Sequence, residues 1–91
     1  MNNARRKAIT DLVNQLDELK GKLEDLKSEV ESIKDEEQEY YNNMPESLQG
    51  SEKGQNAEHA DSCFETAVDK LDEAFNAVYE AVSNMEEARD V

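Results

Sequence analysis

The sequence predicts an all-α fold: an antiparallel helical hairpin, packed as a coiled coil with an Ala-rich seam and dimerising into a four-helix bundle. Three observations predict it. Apolar residues recur at alternating three- and four-residue steps from Ile9 to Ile33 and again from Ala57 to Ala88; alternate rungs of the second ladder are Ala; and the only proline, Pro45, lies between the two ladders. Only 36% of the 91 residues are hydrophobic and there is no Trp, so one long seam or an oligomer has to supply the core. The organisation expected is a single helical-hairpin domain over 1–91, with a helix over about 3–42, a turn over about 43–52 and a helix over about 53–88.

In the first helix the a column is Ile9, Leu16, Leu23, Val30, Glu37 and Met44, and the d column is Leu12, Leu19, Leu26, Ile33 and Tyr40. Lys20, Lys27 and Lys34 occupy e and flank this narrow stripe, which one partner helix would nearly cover. Gly21 falls at f, where it costs about 1 kcal/mol of helix propensity and disturbs no packing. Glu37 at an a position, followed by Tyr40 and Tyr41, marks where the seam loosens.

Pro45 disfavours helix at Met44 and suits the first turn of a new one, so Pro45 to Gln49 form one helical turn closed by Gly50. Met44 and Leu48 then cap the end of the bundle. Ser51 is the expected N-cap of the second long helix, with Gly54 weakening its first turn.

The second helix has Ala57, Phe64, Leu71, Val78 and Met85 at a, and Ala60, Ala67, Ala74, Ala81 and Ala88 at d. The alanine column lets a partner backbone approach closely. A turn centred near residue 48 sets Ile33 opposite Phe64 and Leu12 opposite Met85. The e column, Val68, Phe75 and Val82, widens the apolar stripe beyond what one helix covers, so these residues are the expected dimer interface. A different partner protein, or the N-terminal segment folded over the strip, would satisfy the same need.

Net charge is −13 and unevenly placed. Residues 1–34 balance seven basic against seven acidic side chains, whereas 35–91 hold sixteen acidic side chains against Lys53, Lys70 and Arg89. This distribution weighs heavily against nonspecific binding to nucleic acid or to an anionic membrane, so neither is expected as a direct partner, and it favours a basic one. No run approaches the roughly 18 apolar residues of a membrane span, and the start carries no apolar signal core, so a bacterial cytoplasmic location is expected. The lone Cys63 forms no internal disulfide and fits a reducing compartment.

No chemistry-bearing constellation emerges. His59 is the only histidine and has no Glu three residues before it, since Asn56 stands there. The carboxylate clusters lack the twelve-residue calcium loop, no Gly-rich phosphate loop is present, and Ser62, Ser83 and Cys63 have no placed base. No enzyme, metal or cofactor is expected.

The segment Asn43-Met44-Pro45-Glu46-Ser47-Leu48-Gln49, after the acidic run 35–39 and Tyr40-Tyr41, resembles the turn of a family of small helical-hairpin proteins of bacteria and their phages. The Arg5-Arg6-Lys7-Ala8-Ile9 start is similar too. The resemblance implies a helical hairpin from a bacterium or mobile element and carries no functional residue with it.

Two functions are consistent with this surface. In one, the chain is a small acidic phage or mobile-element accessory protein that inhibits a host nucleic-acid-handling or defence protein, a basic host protein contacted by Glu58, Glu65, Asp69, Asp72, Glu73, Tyr79 and Glu80. In the other it is a dimeric structural or adaptor bundle with no inhibitory role.

Overall fold

The computed structural model describes residues 1–91 and is all-helical, with helices α1 (Asn3–Asn42), α2 (Glu46–Gln49) and α3 (Glu52–Asp90). The two long helices pack against each other. Asn2 opens α1, its side-chain oxygen accepting the Arg5 N–H at 2.8 Å and satisfying one of the donors that a helix start leaves without a partner. The chain forms two compact units, one of residues 1–25 with 71–91 and one of residues 26–70.

In the unit of residues 26–70, α1 ends because Pro45 follows Met44. The carbonyls left open there are taken up by Gln49, whose side-chain amide donates to the Tyr41 and Met44 oxygens at 3.4 and 3.2 Å. Met44 is buried beneath the turn, as expected, while Leu48 is exposed. Pro45 precedes the single turn of α2, and the Leu48 N–H donates to the Pro45 carbonyl at 2.8 Å. Gly50 ends α2 at φ −86, so the turn makes no use of glycine's left-handed range. Ser51 then caps α3. Its hydroxyl oxygen accepts the Gly54 N–H at 3.4 Å and its own proton goes to the Leu48 carbonyl.

In the unit of residues 1–25 and 71–91, Val13 and Val82 are the most enclosed side chains, 4% and 5% exposed. Arg89 ties the helices near the termini, donating to the Thr10 hydroxyl at 3.3 Å, and Arg6 donates to the Val91 carbonyl at 3.3 Å. Cross-helix pairs within each unit, Lys34 with Asp61 and Lys20 with Phe75, keep the register expected from a turn near residue 48.

The seam itself departs from the a/d expectation. Helix α1 turns its a and e columns toward α3, with Ile9, Leu16, Leu23 and Val30 half-buried and Val13 buried, while the whole d column stands open. Leu12, Leu19, Leu26, Ile33 and Tyr40 are 43–50% exposed. The cause is the width of the α3 stripe. Val68, Phe75 and Val82 at its e positions widen the face that α1 meets, and the lysines at e of α1 lie half-buried beside it, Lys20 over Phe75, with their ammonium groups reaching carboxylates. Lys20, Lys27 and Lys34 side chains are accordingly only 18–31% exposed.

Candidate interaction surfaces

Three surfaces remain once the seam is placed. The first is the strip assigned by sequence to dimerisation, and the structure corrects it. Val82 is buried inside its own unit, and Val68 and Phe75 are half-buried. Phe75 lies beneath the Lys20 ammonium, 5.9 Å from the ring centroid, and the same ammonium sits 5.0 Å from the Tyr79 ring and 3.2 Å from an Asp17 carboxylate oxygen. Val82, expected in a dimer interface, is thus taken up in the seam of its own unit, while Val68 and Phe75 keep part of their surface open.

The second surface is the acidic face of α3. Glu58, Glu65, Asp69, Glu73, Tyr79 and Glu80 are exposed and Asp72 is half-buried, so the helix displays most of the side chains expected there. They do not converge on a point. Eight of the eleven carboxylates of α3 are spread along the b and c columns, which gives a solvated stripe rather than a cluster. Glu65 and Asp69 border a shallow hollow with Glu31, Lys34, Asp35 and Val68. Beside it the Lys34 ammonium stands 3.9 Å from Asp61 Oδ1, inside ion-pair range but beyond hydrogen-bond reach of that buried oxygen.

Glu58 has a second role that sequence reading missed. Tyr41 donates its phenol proton to Glu58 Oε1 at 2.7 Å, joining the two helices next to the turn. The hydrogen bond to Glu58 holds the Tyr41 pKa above its ordinary value, with desolvation and the Glu58 charge acting in the same sense. Lys53, whose ammonium lies 5.6 Å from the Tyr40 ring centroid, is likewise held above its usual range, first by hydrogen bonding to the Tyr40 hydroxyl and then by its charge, with desolvation opposing. Both shifts favour the protonated form in the folded chain. The stability that the Tyr41 shift contributes is therefore complete below the unfolded value, about 10, and is lost as pH rises through the raised folded value. Thermal melts between about pH 8 and about pH 11.5 should show this alkaline loss, and Tyr41→Phe should shrink it by lowering the melt slightly at the neutral end, where the hydrogen bond is intact, while leaving the alkaline end unchanged. An equal alkaline loss in Tyr41→Phe would remove Tyr41 as its source.

The third surface is one that the sequence did not separate from the seam. Five of the nine large exposed hydrophobic side chains fall in the d column of α1: Leu12 and Leu19 in one unit, and Leu26, Ile33 and Tyr40 in the other. Antiparallel pairing through a and e columns turns the d columns of both helices to the same side. In each unit, α1 apolar residues are therefore flanked by α3 alanines: Ala74 and Ala81 in one, Ala60 and Ala67 in the other.

His59 and Cys63 lie on the surface of α3 with Nε2 and Sγ 3.7 Å apart, and no group of three or more His, Cys, Asp or Glu side chains is placed to hold a metal ion. No helix is long and apolar enough to cross a membrane. Comparison with known proteins finds no family model, no curated protein and no solved structure that matches the chain.

Proposed function

We propose that this chain works by protein–protein interaction, as a helical hairpin whose α1 d column docks against further helices to complete a bundle. The observation that carries the reading is that column: five apolar side chains, each nearly half exposed, on one side of one helix. Scattered exposed leucines need no explanation, but a heptad-spaced row of them is what a coiled-coil partner packs against.

A second reading rests on the acidic stripe of α3. In it the chain is a small acidic accessory protein that engages a basic surface of a bacterial host protein through Glu58, Glu65, Asp69, Asp72, Glu73, Tyr79 and Glu80. Such contacts govern encounter rate and salt dependence more than they hold a complex together.

The two readings part under substitution. The double variant Leu19→Gln and Ile33→Gln is expected to keep its far-ultraviolet helix signal and to lose association, with itself or with a captured protein. The triple variant Glu65→Lys, Asp69→Lys and Glu73→Lys is expected to keep association. The reverse pattern would transfer the binding site to the acidic face and sink the apolar-face reading.

A further inference from the structure

We infer that the occupant of the α1 row within residues 26–70 is a basic amphipathic helix of another protein, its apolar stripe on Leu26 and Ile33 and a Lys or Arg seated in the hollow beside Tyr40. The inference rests on the reading above and names the chemistry of the partner.

The row and the hollow are continuous. Leu26, Ile33 and Tyr40 stand one heptad apart along α1, each 43–46% exposed. Tyr40 also lines an open hollow of about 570 Å³ at the turn end, together with Glu37, Ser51, Glu52, Lys53 and Asn56. Apolar side chains at heptad spacing are what an amphipathic helix packs against. A hollow bordered by two carboxylates and an aromatic ring suits the head of a long cationic side chain.

Charge selects the partner. Glu29 and Glu36 occupy exposed g positions of α1 beside the row, where a coiled-coil partner sets side chains of opposite sign. Residues 26–70 hold twelve acidic side chains against Lys27, Lys34, Lys53 and Lys70. Lys27 and Lys34 are engaged at the seam, 3.6 Å from Glu31 and 3.9 Å from Asp61. Lys53, the one cation at the hollow, already lies 5.6 Å from the Tyr40 ring centroid. Lys70 is on α3, so the cations of the partner belong on its α1 side. A second copy brings the same excess of acid, and nucleic acid or an anionic membrane brings phosphate. Each of these meets repulsion where a basic helix meets attraction.

Glu37 supplies an independent observation. It stands at an a position, where the rest of α1 has Ile, Leu, Val or Met, and it is half-buried. No cation of its own chain forms an ion pair with it, and it borders the hollow. A partly enclosed carboxylate without a cation weakens the hairpin, and a Lys or Arg of the partner in the hollow offsets that cost.

The test is fluorescence anisotropy of a labelled three-heptad peptide, with Leu at a and d and Lys at e and g, titrated with the full chain. Two further peptides serve as probes: one has Glu in place of Lys, and one scrambles the Lys peptide so that no apolar period remains. The Lys peptide is expected to bind, to weaken as salt is added, and to bind at least about 10-fold more tightly than either of the others. Leu26→Gln with Ile33→Gln is expected to weaken it by roughly 100-fold. Glu36→Gln with Glu37→Gln is expected to weaken it about 10-fold at low salt and to flatten the salt dependence. Glu65→Gln with Asp69→Asn removes the same charge from b and f positions of α3 and is expected to leave binding unchanged. Equal binding of the Lys and Glu peptides, both weakened by Leu26→Gln with Ile33→Gln, would overturn the basic partner and leave the docking row standing. So would sedimentation of the wild type as a dimer that binds no peptide, which would seat a second copy there. A scrambled peptide that binds as well as the Lys peptide would reduce the attraction to charge alone and overturn the helix. Lys-peptide binding that ignores the Leu26 and Ile33 changes but falls with Glu65→Gln and Asp69→Asn would move the site to the acidic stripe and remove both readings. A monomeric chain that binds none of the three peptides would also overturn the basic helix.

Discussion

Val82→Asp is expected to unfold its part of the hairpin rather than to separate one copy from another. Val82 is 5% exposed, and Val13, 4% exposed, lies one heptad from Lys20 in α1 as Val82 lies one heptad from Phe75 in α3. The Lys20–Phe75 pair therefore places these two valines opposite each other. A carboxylate introduced there is enclosed by the seam, and the Lys20 ammonium one heptad along is already engaged by Asp17 and the Tyr79 ring. Leaving a buried charge unpaired costs about 3–5 kcal/mol, a large share of the 5–15 kcal/mol typical of a whole domain. Val82→Ala, which removes two methyl groups and leaves a small cavity, should cost about 2 kcal/mol. Ile33→Asp, at a position nearly half exposed, should cost the hairpin much less than Val82→Asp. Chemical denaturation followed by far-ultraviolet circular dichroism measures all three. If Val82→Asp instead kept a full helix signal and its mass simply halved, the valine would belong to an interface and the seam described above would be wrong.

That contrast locates what the sequence disclosed and what it did not. The limits of α1 and α3, the helical turn between them and the cross-helix register were all legible. Each follows from local signals: the three-four period, Pro45, Ser51, and a turn centre that fixes which residue meets which. The rotation of α1 about its own axis was not. The d and e columns are one residue apart, about 100° around the helix, and the apolar ladder alone favours d because Leu outranks Lys. Lys20, Lys27 and Lys34 were read as charged flanks, whereas they lie half-buried beside the α3 stripe, their side chains 18–31% exposed. Once those stems take the e side, the leucines are left over. The sequence places the uncovered apolar column on α3, whereas in the structure the exposed row of large apolar side chains lies on α1. Nor did any local pattern mark Tyr41 and Glu58 as partners, because their 2.7 Å hydrogen bond exists only after the turn has brought residues 17 positions apart together.

Gly54→Ala is expected to destabilise the chain by about 2–3 kcal/mol, although helix propensity alone argues for a gain of about 1 kcal/mol. Gly54 sits buried in the first turn of α3, where a Cβ would fall well inside contact distance of the Gln49 carbonyl and 2.6 Å from the Leu48 oxygen. The obstacle is backbone, and it is pinned. The Gln49 N–H donates to the Pro45 carbonyl at 3.1 Å, the Gln49 side chain holds the Tyr41 and Met44 carbonyls, and the Ser51 N–H donates to Leu48 at 3.1 Å. Moving residues 48 and 49 aside would strain or break several of these bonds, each worth about 1 kcal/mol. Moving α3 instead would lift Ala57, 5% exposed, out of its place. Gly21 supplies the control, since nothing lies within 4 Å of where its Cβ would stand. There Ala should add about 0.5–1 kcal/mol. At about 4–8 °C per kcal/mol for a domain of this size, thermal melts should rise by a few degrees for Gly21→Ala and fall by about 10 °C or more for Gly54→Ala. Equal gains at both positions would mean that α3 starts free of α2. Opposite signs would show that glycine is required where two backbones meet and merely tolerated where one helix faces water.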